Sequence, residues 1–282
     1  MPAVEYRSRM ILLSSIIFMV IAAVVALSIS IQTIGVNIPE NMRLITWLVL
    51  GILVAFGGIA SQENTFYVEI SQFFLVPTLG SLSKLPLPGT EYDVSILSVL
   101  RLLFKLGNVV AIIGSILIAY ASSVTIVKPA DQERFSVEQI ADRYRQLRNI
   151  AYSGAALLIA GVFTLYSWMI WPIALLNPND ELGKRAIAEI EHLALGSAIG
   201  YGMAFTALLI AAYFPIFVEL RREALSLARE KQREKSVSEL EKWLAVKGMD
   251  ISFIKQANLL MFMFGPVLTG PLGEAVQSIL AA

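Results

Sequence analysis

The chain has 282 residues, 56% of them hydrophobic and 16% charged, with 22 basic residues balanced by 22 acidic ones. Soluble domains run at about 45–50% apolar and about 25% charged, so composition argues for a protein solvated by lipid, and zero net charge removes the global field that nucleic-acid binding would draw on. With no cysteine and one histidine, His192, disulfides, thiolate catalysis, Cys-ligated metals and a multi-histidine centre within one chain are excluded as well.

Apolar sequence begins at Met10, just after Arg7 and Arg9, and continues to Ile31. A bilayer core of about 30 Å takes roughly 20 helical residues. The stretch is too long for a signal-peptide core and no A-x-A-like site closes it, so it reads as a retained membrane helix. Leu44–Ala60, with Trp47 as an interfacial anchor, Asn108–Val127, Ile150–Leu176 and Leu193–Val218 read the same way. None of the five contains Asp, Glu, Lys, Arg or His.

Between the second and third, Thr65–Leu82 carries Glu69 and Pro77, which argue against a clean crossing. Phe66, Ile70, Phe73 and Phe74 fall on one face, the pattern of an interfacial or re-entrant segment. Val94–Leu106 resembles it, with Leu97, Leu100 and Phe104 opposed by Arg101 and Lys105. The expected fold class is therefore all-α, a polytopic helical membrane protein with five transmembrane helices, or six if Thr65–Leu82 also crosses.

Charged sequence flanks the last two spans. Ser136-Val137-Glu138-Gln139 fits a capping box, so a helix is expected to start there and run unbroken into the fourth span. Trp168, Trp171 and Pro172 end that span, and Asn177-Pro178-Asn179-Asp180 signals a turn. Glu219 to Lys235 should extend the fifth span, and Ser238-Glu239-Leu240-Glu241 looks like another capped start, ending near Gly248. Two of the helices thus extend into a cytoplasmic helical stalk.

The implied domains are residues 1–127, with three spans and the interfacial or re-entrant segment 62–107; a hairpin of two long helices over 128–235; and a cytoplasmic helical region over 236–282. The last has an apolar tail broken at Gly265-Pro266 and Gly270-Pro271. That tail is expected to pack as the apolar core of the cytoplasmic region, or to dock its Met/Phe-rich run on a neighbouring subunit, a partner or the inner leaflet. Five Lys or Arg lie between Lys128 and Arg148 and nine from Arg221 to Lys255, which places the stalk and the C-terminal side in the cytoplasm. Five spans put 15 basic residues inside and 7 outside, six spans 16 and 6, so the side of the N-terminus stays open. The Cys-free, Ala/Ile/Leu-rich composition points to a bacterial inner membrane.

Intramembrane charges mark proton relays, ion coupling and voltage sensing; the five uncharged spans argue against all three and against an intramembrane hydrolase. No catalytic constellation, cofactor motif or metal set stands out, and the chain lacks both glycine-rich phosphate-loop patterns. Glu189-x-x-His192 has di-iron bundle spacing, but one histidine per chain would require a symmetric dimer. Three groups remain. Gly196 and Gly200 form a GxxxG pattern continued by Ala204, Ala207 and Ala211, which suits either packing against Gly154 and Gly161 within the subunit or assembly between subunits. Arg143, Arg145, Arg148, Arg221 and Arg222 sit where the stalk meets the membrane, suited to lipid headgroups or to an anionic ligand between the stalk helices. Tyr120, Ser122, Ser123 and Thr125 are candidate pore-lining hydroxyls at one end of the third span.

The expected partners are membrane lipids and further copies or subunits of a membrane complex, not nucleic acid. Two functions follow: a homo-oligomeric channel or pore gated through the stalk, or a non-catalytic scaffold that recruits a partner. A secondary transporter ranks lower, since no internal repeat is visible.

Overall fold

The computed structural model of the chain describes residues 2–63, 96–128, 135–176, 179–232, 236–247, 249 and 257–270. Among these the fold is all-helical. The helices are α1 (Pro2–Asn37), α2 (Glu40–Glu63), α3 (Ile96–Val124), α4 (Val137–Ile170), α5 (Glu181–Lys231), α6 (Val237–Val246) and α7 (Ala257–Met263), with a 3-10 segment, Trp171–Leu175, after α4. Three are long and apolar enough to cross a bilayer: α1 from Met10, α4 and α5. Shorter apolar stretches lie in α2, Met42–Leu53, and in α3, Ile112–Val124. Thr65–Leu82 lies outside the described residues. Val94–Leu106 does not form a separate segment from Ile96 onward; it is the first part of α3, because Gly107 alone, with no proline beside it, does not stop a helix.

Local chemistry explains the helix ends. Ser136 Oγ accepts from the Gln139 amide at 3.2 Å, and Gln139 Oε1 accepts from the Ser136 amide at 2.7 Å. This reciprocal cap satisfies two amides that the first turn leaves without partners. The far end of α4 tightens at Trp171-Pro172 into the 3-10 turn. The cap of α6 differs from expectation. Glu239 Oε2 accepts from the Ser236 amide and hydroxyl, each at 2.9 Å, so the cap lies two residues before Ser238 and the helix starts at Val237. Both registers match S-x-x-E, but the later one would use Glu241 as the cap. Here Glu241 instead pairs with Arg221 of α5 at 2.8 Å.

Hydrogen bonds between distant residues fix the helix directions. Thr164 of α4 donates to the Ser15 carbonyl of α1 at 3.1 Å, and Asn37 Nδ2 donates to Gln146 Oε1 at 2.8 Å, so α1 and α4 are antiparallel. α2 turns back two residues after α1, and Tyr120 of α3 donates to Thr46 of α2 at 3.4 Å. The start of α2 and the end of α3 therefore lie together. Arg143 Nη2 of α4 donates to the Val127 carbonyl just after α3, at 3.3 Å. Asn37, Thr46, Val127 and Gln146 thus share one end of the bundle, and Ser15 and Thr164 lie toward the other.

Helix α4 is the hub. Its most apolar stretch is 78% buried, against 33% for α1 and 28% for α5. Small residues set its spacing to neighbours: a Cβ on Gly154 would meet Ile118 of α3 at 3.3 Å and Leu209 of α5 at 3.4 Å. Beyond Gln146, α4 and α5 continue together past the end of α1 as a two-helix stalk. Tyr144 meets Phe217 edge-on at 5.9 Å, Tyr213 stacks on Phe217 at 5.7 Å, and α6 closes the assembly with Leu240 and Leu244 fully buried.

Candidate functional site

Helix α5 presents two different small-residue faces. The buried one contains Ala194, Ala198, Gly202 and Thr206, one every fourth residue. Against it lies the C-terminal segment: α7, a turn at Phe264 and further helical residues to Gly270. Pro266 has no N–H to give the Phe262 carbonyl, and the Val267 amide bonds to the Phe264 carbonyl at 3.1 Å. The Met263 carbonyl accepts instead from Thr206 Oγ1, at 3.1 Å. Backbone approaches backbone at Gly202, where a Cβ would press on the Pro266 carbonyl oxygen and lie 2.7 Å from Pro266 C and Val267 Cα. Gly265 approaches Ile159 of α4 equally closely. Leu259 and Met263 are buried in one cluster that joins Leu240, Leu244 and Met249 of the stalk region to Leu158 of α4 and Leu209 of α5. Pro266 and Gly270, however, reach Gly202 and Ala198, within the sequence 193–218 expected to span.

The second face holds the residues singled out from the sequence. Gly196, Gly200, Ala204, Ala207 and Ala211 are all exposed, and a Cβ on either glycine would meet nothing within 4 Å. The expected packing against Gly154 and Gly161 does not form. Gly154 is taken by Ile118 and Leu209, and nothing lies within 4 Å of a Cβ on Gly161. Pro215 lies inside α5 one turn after Ala211, on the exposed surface, so the Ala211 carbonyl loses its usual i+4 donor.

The candidate pore hydroxyls do not converge. Ser122 and Thr125 are buried and bond back to the Ile118 and Ser122 carbonyls at 2.8 and 2.7 Å. Ser123 is exposed and bonds to the Ala119 carbonyl at 2.9 Å, while Tyr120 reaches Thr46. Back-bonding of this kind satisfies a hydroxyl in an apolar setting without opening a path.

The five arginines are also separated. Arg143 is 9% exposed, caps the Val127 carbonyl and lies over the Phe135 ring at 6.0 Å. Burial disfavours its charge and the neighbouring Asp142 carboxylate favours it. Arg145 pairs with Asp142 at 3.3 Å, Arg221 with Glu241, and Arg222 with Glu219 at 3.7 Å. The space between the stalk helices is filled by Tyr144, Leu147, Leu220 and Ala224. Arg145, Arg148 and Arg222 remain exposed, as headgroup contacts require. Glu189, Glu191 and His192 are exposed at the opposite end of α5, and among the described residues no three His, Cys, Asp or Glu side chains gather as metal ligands.

No protein-family model, curated protein or solved structure matches this chain. Sequence reasoning missed the Ala194–Thr206 face, although its spacing of four was visible. It also missed the Lys128–Glu223 ion pair at 3.1 Å and the Asn37–Gln146 amide pair.

Proposed function

We propose that the protein is embedded in a membrane with α1 to α5 crossing in alternate directions, and that copies assemble through the open face of α5 into a channel or pore. Antiparallel α1 and α4 support five crossings, since a sixth between α2 and α3 would make them parallel. The N-terminus then lies on the side away from the stalk, and the basic residues of the stalk favour the cytoplasm for the latter.

The observation that carries the assembly is the open run Gly196, Gly200, Ala204, Ala207 and Ala211. Lipid tails give a helix no reason to be small-sided, whereas a closely approaching helix does. The carbonyl freed by Pro215 lies on the same face, and such a group at membrane depth suits a protein interface or a water-filled path. The packed α4 leaves the space between copies as the location for a pore. A recruiting scaffold is the weaker reading, because the described part of the tail it would use is engaged by α4 and α5.

Native mass spectrometry of protein extracted gently from its own membrane tests the proposal. Three or more copies with no other polypeptide, together with single-channel conductance after reconstitution, is the expected result. Gly196→Leu with Gly200→Leu should leave the folded monomer intact and abolish both. One or two copies carrying a second polypeptide would overturn the pore in favour of the scaffold.

A further inference from the structure

We infer that the C-terminal segment Ala257–Gly270 is itself inserted in the bilayer, with Met261, Phe264 and Leu268 turned toward lipid acyl chains. The inference rests on the membrane reading of α5. Three contacts set the register: Met263 on Thr206, Pro266 on Gly202 and Gly270 beside Ala198, where a Cβ would come within 3.0 Å of the Ala198 methyl. The tail descends α5 as α5 is read upward, so the two run antiparallel. Ala198 lies 20 residues before Val218, the stalk-side end of the expected span, which is about 30 Å of helix and the full thickness of a hydrocarbon core.

The segment also starts from the stalk side. The Met249 amide bonds to the Leu244 carbonyl of α6 at 2.9 Å, and Phe262 meets Tyr152 near the stalk end of the fourth span, edge-on at 5.4 Å. Between Met249 and Gly270 the chain therefore passes from the stalk to the opposite half of the bundle. Its outward residues are apolar and open: Met261 is 71% exposed, Phe264 48% and Leu268 53%. The α5 surface at the same depth exposes Met203 at 55% and Leu208 at 42%. Its hydrogen bonding suits lipid as well, because the Met263 carbonyl, whose helical donor Val267 turns to Phe264, is satisfied by Thr206.

The native chain has no cysteine, so single-cysteine variants report cleanly. Leu268→Cys and, as a second position, Met261→Cys are treated with a sulfonated, membrane-impermeant maleimide in opened membrane vesicles. Met203→Cys and Ser238→Cys serve as the α5 and stalk references. The expected result is labelling of Ser238→Cys alone, and at least tenfold less at the other three. A bimane placed on Leu268→Cys should then be quenched by phosphatidylcholine brominated in its acyl chains. Labelling of Leu268→Cys and Met261→Cys while Met203→Cys stays protected overturns the inference and leaves the membrane reading intact. Labelling at Met203→Cys also overturns both. Protection without quenching overturns the lipid contact and identifies protein as the cover.

Discussion

Two glycines two positions apart on α5 should respond oppositely to the same methyl group. At Gly202 the methyl carbon would lie 2.7 Å from Pro266 C and Val267 Cα, whereas carbon contacts are optimal at about 3.5–4.0 Å, so the tail must retreat by about 0.8 Å or more. The obstructing atoms belong to backbone, so no rotamer change relieves them. Overpacking of this kind costs about 1–3 kcal/mol, and replacing glycine by alanine inside a helix returns up to about 1 kcal/mol. Gly202→Ala should therefore lie about 0–3 kcal/mol below the native protein and about 1–3 kcal/mol below Gly200→Ala, with faster amide exchange over 257–263. At Gly200 nothing lies within 4 Å, so Gly200→Ala keeps the helix gain and should match or exceed the native stability. The assay is thermal unfolding of both variants in a detergent that keeps copies apart, with hydrogen exchange read over the tail. Equal stability of the two variants, or unchanged tail exchange in Gly202→Ala, would refute the contact between Gly202 and Pro266 as the determinant.

Other substitutions probe the buried polar contacts. Thr206→Val leaves the Met263 carbonyl without its donor and should cost about 1–3 kcal/mol in the same unfolding assay, while Ser123→Ala, an exposed hydroxyl bonded within its own helix, should change stability by less than about 0.5 kcal/mol. Asn37→Leu and Gln146→Leu should each destabilise by about 1–3 kcal/mol, and the double variant by less than their sum, because it leaves no amide unpaired; additive losses would mean the two do not interact. Ser136→Ala removes the α4 cap and should cost about 1 kcal/mol, seen as faster exchange in the first turn. Arg143→Met strips the Val127 carbonyl of its partner and should lower the unfolding temperature, whereas Arg222→Gln, 77% exposed in its side chain, should leave it within the scatter of the measurement.

Much of the fold was legible because lipid leaves the backbone few choices. The five uncharged apolar runs all lie on helices, the third overrunning the end of α3 by three residues and the fourth ending in the 3-10 turn after α4, and the Ser136 cap and the long reach of α5 past Val218 follow from local chemistry alone. The helix faces were harder to read. Gly200 and Gly202 are separated by about 200° around a helix of 3.6 residues per turn, and both belong to a small-residue pattern. Nothing local says which one a neighbour occupies. The tail was obscured because Gly265-Pro266 reads as a break in a span, whereas here the pair lets two backbones approach and leaves a carbonyl for Thr206. Asn37 and Gln146 are 109 residues apart, so neither residue advertises its partner. The arginines do not gather into one pocket for a related reason: clustering in sequence does not make side chains converge when Arg143, Arg145, Arg221 and Arg222 each have a carbonyl or carboxylate within reach.

Helix α5 also has a mechanical consequence. It is continuous from Glu181 to Lys231, so a rigid tilt about the tail contact at Thr206 would move its far end as a lever. Lys231 lies 25 residues beyond that point, an arm of about 38 Å at 1.5 Å per residue. A tilt of about 10° would swing its tip through about 6.5 Å, with Pro215 the one place along the arm where a bend has a backbone reason. In the proposed pore, a load on the stalk would act with leverage on the α5 segment carrying the open glycine face, turning a displacement of several ångströms at the tip into a finer one near Gly196 and Gly200.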